Sequence, residues 1–167
     1  NLGKWVKVRL LAWDRHFEIS PGEEGASSGA FVAYSKDGET IDSVIGEEQK
    51  AFEGKPVAEY LEYLRKEEDF DKASKREFVD LQVAAMGSEA EPEFVGVIQV
   101  TLSSSSISGF RAYQTSLEAT AKCVAMNLAG FSLPEDPFSF FIVREAASKG
   151  KNSWTKLKIC SVLPTKV

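Results

Sequence analysis

Apolar and polar positions change period along this chain, and each change marks an element. Residues 4–13, KWVKVRLLAW, alternate, with Val6, Val8 and Leu10 on one face and Lys7 and Arg9 on the other. A period of two predicts a strand with one wet face. The Gly- and Ser-rich stretch 20–29 predicts a loop. AFVAYSKDG, 30–38, predicts a second strand closed by Asp37-Gly38, a pair that accepts the positive φ of a hairpin. The period then lengthens. Val57, Tyr60, Leu61 and Leu64 fall on one helical face, and Pro56 suits a first helical position. The charge run 64–77 reads as a solvated helix end and loop. At 77–87, Val79, Leu81 and Val83 alternate with Asp80 and Gln82, which favours a strand, although the Ala-Ala-Met ending suits a helix.

The acidic stretch GSEAEPE, 87–93, contains Pro92 and is the expected linker between an N-terminal region, 1–88, and a C-terminal domain, 93–167. In the second half, EFVGVIQVTL at 93–102 predicts a mostly buried strand, with Gly96 marking a bulge or a close backbone approach. SSSSISG reads as a loop and FRAYQ, 110–114, as a short strand. Thr115 and Glu118 have the spacing of a capping box. Leu117, Ala121, Val124 and Leu128 continue as one apolar stripe, Glu118 and Lys122 form an i,i+4 pair, and Gly130 fits the position past a helix end. SLPEDP turns the chain into FSFFIVREAASKGKNSWTKLKI, 138–159, two apolar runs flanking a polar turn. The predicted class is therefore α+β. Strands plus a helix make up the N-terminal half, and strand, strand, helix, strand, strand (ββαββ) the C-terminal half. A helix crossing between two hairpins must cover one sheet face, the pattern of a ubiquitin-like β-grasp.

Composition narrows the function classes. The 167 residues are 43% hydrophobic and 27% charged, which suits a chain with a real core. The net charge of −5 gives no basic excess for nucleic acid. No apolar run reaches the roughly 18–20 residues of a membrane helix. The basic residues near the N-terminus alternate with apolar ones, unlike a signal peptide. Cys123 and Cys160 lie far apart in apolar segments and read as reduced thiols, which fits a cytoplasmic protein.

Catalytic chemistry is poorly marked. The single histidine, His16, reads as a surface or partly buried residue. No cluster has zinc-ligand spacing, no phosphate-loop pattern occurs, and DFD at 69–71 lacks the other ligands of a calcium loop. Acids are abundant, but nothing singles out a carboxylate pair for acid–base work. No metal, cofactor or enzymatic activity is expected. Lys149, Lys151, Lys156 and Lys158 form the densest basic patch. They read as the wet face of a hairpin, where alternate lysines guard an edge strand, with an acidic protein or anionic lipid head groups as the other use.

GVIQVTL, the short strand after it, the Thr-led helix and the Asp136-Pro137 start of an aromatic strand ending in Arg144-Glu145 resemble the Ras-association domain, a ubiquitin-like family, over residues 94–163. That resemblance implies a non-enzymatic protein-interaction module. Its second strand would lie at a sheet edge and pair antiparallel with the exposed edge of a GTP-loaded small GTPase. Carried to this chain, the partner-binding positions are Phe110, Arg111, Ala112, Tyr113 and Gln114, with Lys122 on the helix and Arg111 as the electrostatic anchor. The chain departs from the family in having one Arg on that strand and an acidic net charge. The alternative use of the same fold is a structural or scaffold domain that self-associates or packs within a larger assembly.

Overall fold

Trp5–Ser20 is one continuous sixteen-residue strand, β1, in a computed structural model that describes residues 1–22, 32–68, 70–126 and 138–163. After it come β2 (Ala33–Ser35), β3 (Ser43–Val44), a 3-10 turn at Glu47–Phe52, α1 (Val57–Lys66), β4 (Ser74–Ser88), β5 (Val95–Leu102), α2 (Ser104–Met126), β6 (Ser139–Lys149) and β7 (Asn152–Cys160). The hydrogen-bonded order is β3-β2-β1-β4-β5, with β6 paired to β1 and β7 to β6. β1 is antiparallel to β2 at Phe17↔Ser35 and to β6 at Val6↔Ile142. Two compact units share the two long strands: residues 1–13 with 81–167, and residues 14–80.

The smaller unit, 14–80, packs α1 on short strands. Val57, Tyr60 and Leu64 of α1 bury against Ile19, Ala33, Ile41 and Val44, the helical face that the period predicts. Each fully buried aliphatic side chain there contributes roughly 1.5–3 kcal/mol. The Asp37-Gly38 turn forms as expected. Gly38 has φ +79°, and Asp37 Oδ1 accepts from the Glu39 and Thr40 amides, both at 2.8 Å. Those bonds hold the Asp37 carboxyl below its ordinary range, led by the one from Thr40.

In the larger unit, Val6 and Val8 of β1 face inward beside their β6 partners Ile142 and Phe140, and all four are buried. The hairpin β6–β7 turns at Gly150-Lys151, with Gly150 at φ +62°, in agreement with the polar turn read from sequence. Residues 87–93, expected as a linker, instead close an ordered β4–β5 connection. Ser88 N–H donates to Glu91 O at 3.0 Å, and Ser88 Oγ accepts from Glu91 N–H at 3.0 Å. The expected loop at 23–29, Leu128, Gly130 and the SLPEDP turn lie outside the described residues.

The β-grasp expectation is overturned. The sheet is open and mostly antiparallel, and no ββαββ C-terminal half is evident. Residues 104–114, expected as a loop and strand, are the first three turns of α2. Ile107, Phe110 and Tyr113 recur every three residues and are 4%, 1% and 9% exposed, a helical stripe that a sheet pleat would split between two faces. Thr115 caps nothing: its hydroxyl donates back to Arg111 O at 3.3 Å, well inside the helix. With 110–114 helical, β5 pairs with β4, and β6 with β1 from the first half of the chain. The two halves do not form separate sheets.

Candidate functional site

The expected partner-binding residues all lie on α2. Phe110 and Tyr113 belong to the core. The Phe110 ring meets Trp13 edge-on at 5.8 Å, and Tyr113 packs on Phe140 at 4.4 Å and donates its hydroxyl to Phe138 O at 3.3 Å. Gln114 is half-buried, whereas Arg111, Ala112 and Lys122 are exposed. Arg111 and Lys122 are eleven residues apart, about three turns and ~16 Å along one helical face. Of these six residues, 110–114 do not form the backbone edge expected of them, whereas Lys122 lies on a helix as expected. Two of them hold the helix down and three face water.

The available edge is on β5. This strand pairs with β4 on one side, and among the described residues no strand pairs with the other. Its side chains alternate strictly, with 95, 97, 99 and 101 exposed and 96, 98 and 100 half-buried. Val95 is 82% exposed and Val97 71%, the largest values among the exposed large hydrophobic residues apart from Val162. VGVIQVTL holds no charge and no proline. Edge strands without either are templates for pairing with another chain. An added Cβ at Gly96 would sit 3.4 Å from Cζ of the Phe94 ring, an ordinary contact, so no close backbone approach calls for the glycine here.

The opposite edge contrasts with it. β7 carries Lys156 and Lys158, with Lys149 and Lys151 at the hairpin turn. α2 packs against this strand, and Ser106 Oγ accepts from the Leu157 amide at 3.2 Å. β7 is thus charged and partly capped, whereas among the described residues no strand pairs with the outer side of β5. Lys149, Lys151 and Lys158 are exposed on this hairpin and Lys156 is half-buried.

The smaller unit holds a polar cluster around His16. His16, 9% exposed, is stacked between Tyr34 at 5.3 Å and Phe78 at 5.2 Å. Its Nδ1 lies 2.6 Å from Asp80 Oδ2 and its Nε2 3.2 Å from Glu18 Oε1. Both ring nitrogens therefore lie within hydrogen-bond distance of a carboxylate. Burial, followed by Asp80, Asp14, Asp42 and Glu18, raises the neighbouring Tyr34 hydroxyl above its ordinary range. The cluster ties β1 to β4 within this unit. Its sequence signal was faint: His16 and Asp80 lie on strands 64 residues apart, and only the strand pairing brings them together. Among the described residues no group of three or more His, Cys, Asp or Glu is placed to hold a metal ion. No helix there is long and apolar enough to cross a membrane.

Comparison with family models, with curated proteins and with solved structures finds no match to this chain.

Proposed function

We propose that this chain is a non-enzymatic protein-interaction module that takes up an extended segment of a partner along β5. The observation that supports this most is the uncharged, proline-free β5 edge with Val95 and Val97 turned outward, set against the lysine-guarded β7. Main-chain bonds would supply the generic contact and the two valines the apolar anchor. Burying a valine contributes roughly 1.5–3 kcal/mol before the cost of association is subtracted.

A GTP-loaded small GTPase is the partner class that the Ras-association resemblance suggests, its own edge strand extending the sheet. On this reading Arg111 and Lys122 act from the exposed face of α2, steering an acidic partner rather than pairing with it. Free Cys123 and Cys160 suit a reducing compartment such as the cytoplasm. A second reading is self-association of two copies along β5, favoured by a strand that carries no charge to repel its twin.

The test is titration of the chain and of Val97→Lys against GTP- and GDP-loaded small GTPases, with sedimentation at several protein concentrations. The variant changes an exposed side chain and should leave the fold intact. GTP-selective binding lost in the variant supports the GTPase reading; equal or absent binding to both forms removes it. Concentration-dependent dimers lost in the variant support self-association. No association of either kind removes the role of the β5 edge.

A further inference from the structure

The larger unit contains a second feature, which shares β5 through the half-buried Val100 but not through the outward Val95 and Val97. A groove of about 280 Å³ opens beside the start of β1. Leu2, Val6, Val100, Ile142 and Leu157 supply its apolar lining, with Lys4 and Arg144 beside them. The placement of the two cations follows from the strand register. Trp5 is opposite Val143, and the Arg144 amide donates to Lys4 O at 2.8 Å, so Lys4 and Arg144 are direct cross-strand neighbours. Opposed residues of an antiparallel pair have Cβ atoms about 4.5–5.5 Å apart, and like charges so placed destabilise the pair.

Neither the Lys4 nor the Arg144 side chain makes an ion pair with a carboxylate among the described residues. Glu89 uses its Oε2 to accept from the main-chain amide of Lys4 at 2.6 Å, and it does not line the groove. The wall is also pre-formed. Glu89 N–H donates to Trp5 O at 3.1 Å, and together these bonds fasten the chain start to the β4–β5 connection.

We propose that this groove binds a small carboxylate with an apolar tail, its head between Lys4 and Arg144 and its tail along Val6, Val100 and Leu157. A guanidinium fork matches a carboxylate with two parallel hydrogen bonds, and an adjacent ammonium adds charge without competing for that geometry. The volume sits near the lower end for small-molecule pockets. At about 30 Å³ for each water-sized group it holds roughly nine of them, the size of a medium-chain acid rather than a lipid or a folded peptide.

Calorimetric titration of the full chain with octanoate tests this, with octan-1-ol as the uncharged tail and acetate as the tailless charge. Octanoate should bind about tenfold more tightly than octanol, and acetate should bind more weakly than octanoate by at least as much. Lys4→Gln and Arg144→Gln should each weaken octanoate about fivefold or more while leaving octanol unchanged. Methyl resonances of Val100 and Leu157 should shift on titration of the unmodified chain, a readout that does not depend on the variants folding. Equal affinity for octanoate and octanol, no octanoate binding at millimolar concentration, methyl shifts confined to other sites, or unweakened binding by both folded variants would overturn the proposal.

Discussion

Phe110→Ala separates a core helix from an exposed binding strand more sharply than any other single change. Phe110 is 1% exposed, on the inner face of α2 with Ile107 and Tyr113, its ring edge-on to Trp13. A phenylalanine buries some 150–250 Å². At about 25 cal/mol per Å² that is worth ~4–6 kcal/mol, an upper bound because the unfolded chain already hides part of the surface. Alanine keeps a fraction of this and the cavity adds a cost, so the expected loss is about 3–4 kcal/mol, within the range seen for Phe→Ala in cores. Urea unfolding followed by far-ultraviolet circular dichroism should show the midpoint falling by roughly 1–2 M. Arg111→Ala, one residue along on the exposed face, should stay within about 0.5 kcal/mol of the unmodified chain. A loss below about 1 kcal/mol for Phe110→Ala would refute the helical burial of this segment.

Three further outcomes follow from local geometry. Gly87 sits at φ +110° with the Pro92 carbonyl 2.6 Å from where a Cβ would stand, so Gly87→Ala should cost about 2 kcal/mol or more, read as a lower melting temperature. The Asp37 carboxyl should titrate below its ordinary value of 3.8 by carbon-detected NMR; its contribution to stability is present above that value and is lost as pH falls through the depressed one. A midpoint at or above 3.8 would mean that its two amide bonds do not persist in solution. The Tyr60 hydroxyl, pushed up to about 12 chiefly by burial, should ionise last in a spectrophotometric titration, a step removed by Tyr60→Phe. Because the neutral form is favoured in the folded state, stability should fall as pH rises from about 10 towards 12.

The parts of the fold that a short window determines were readable in advance. The β6–β7 hairpin, the apolar face of α1, the Asp37-Gly38 turn and the strand of β4 all carry their period and punctuation within about a dozen residues. α2 is obscured in the sequence because four serines at 103–106 resemble a loop, and Phe110 and Tyr113, taken in isolation, suit a strand. The better signal was Ile107-Phe110-Tyr113 at a spacing of three, continued by Leu117. β1 runs past its alternating stretch through DRHFEIS, where the pairing of His16 with Asp80 and of Phe17 with Ser35 depends on distant residues. Topology failed for the same reason: β5 and β6 pair with strands from the first half, which no pattern internal to the second half records. The apolar, uncharged character of VGVIQVTL was visible in sequence, but its position at a bare edge required the strand order.

The central proposal is that the outer side of β5 takes up an extended segment of a partner, and site-resolved amide exchange over residues 95–100 tests it most directly. In the dilute chain, amides that point away from β4 should exchange fast and those bonded to β4 slowly, giving an alternating profile. Binding of a partner, whether a GTP-loaded GTPase or a second copy at high concentration, should slow the fast set selectively, and Val97→Lys should prevent that slowing. Uniform protection along the strand in the dilute monomer would contradict the account, because the edge would already be covered by the chain itself.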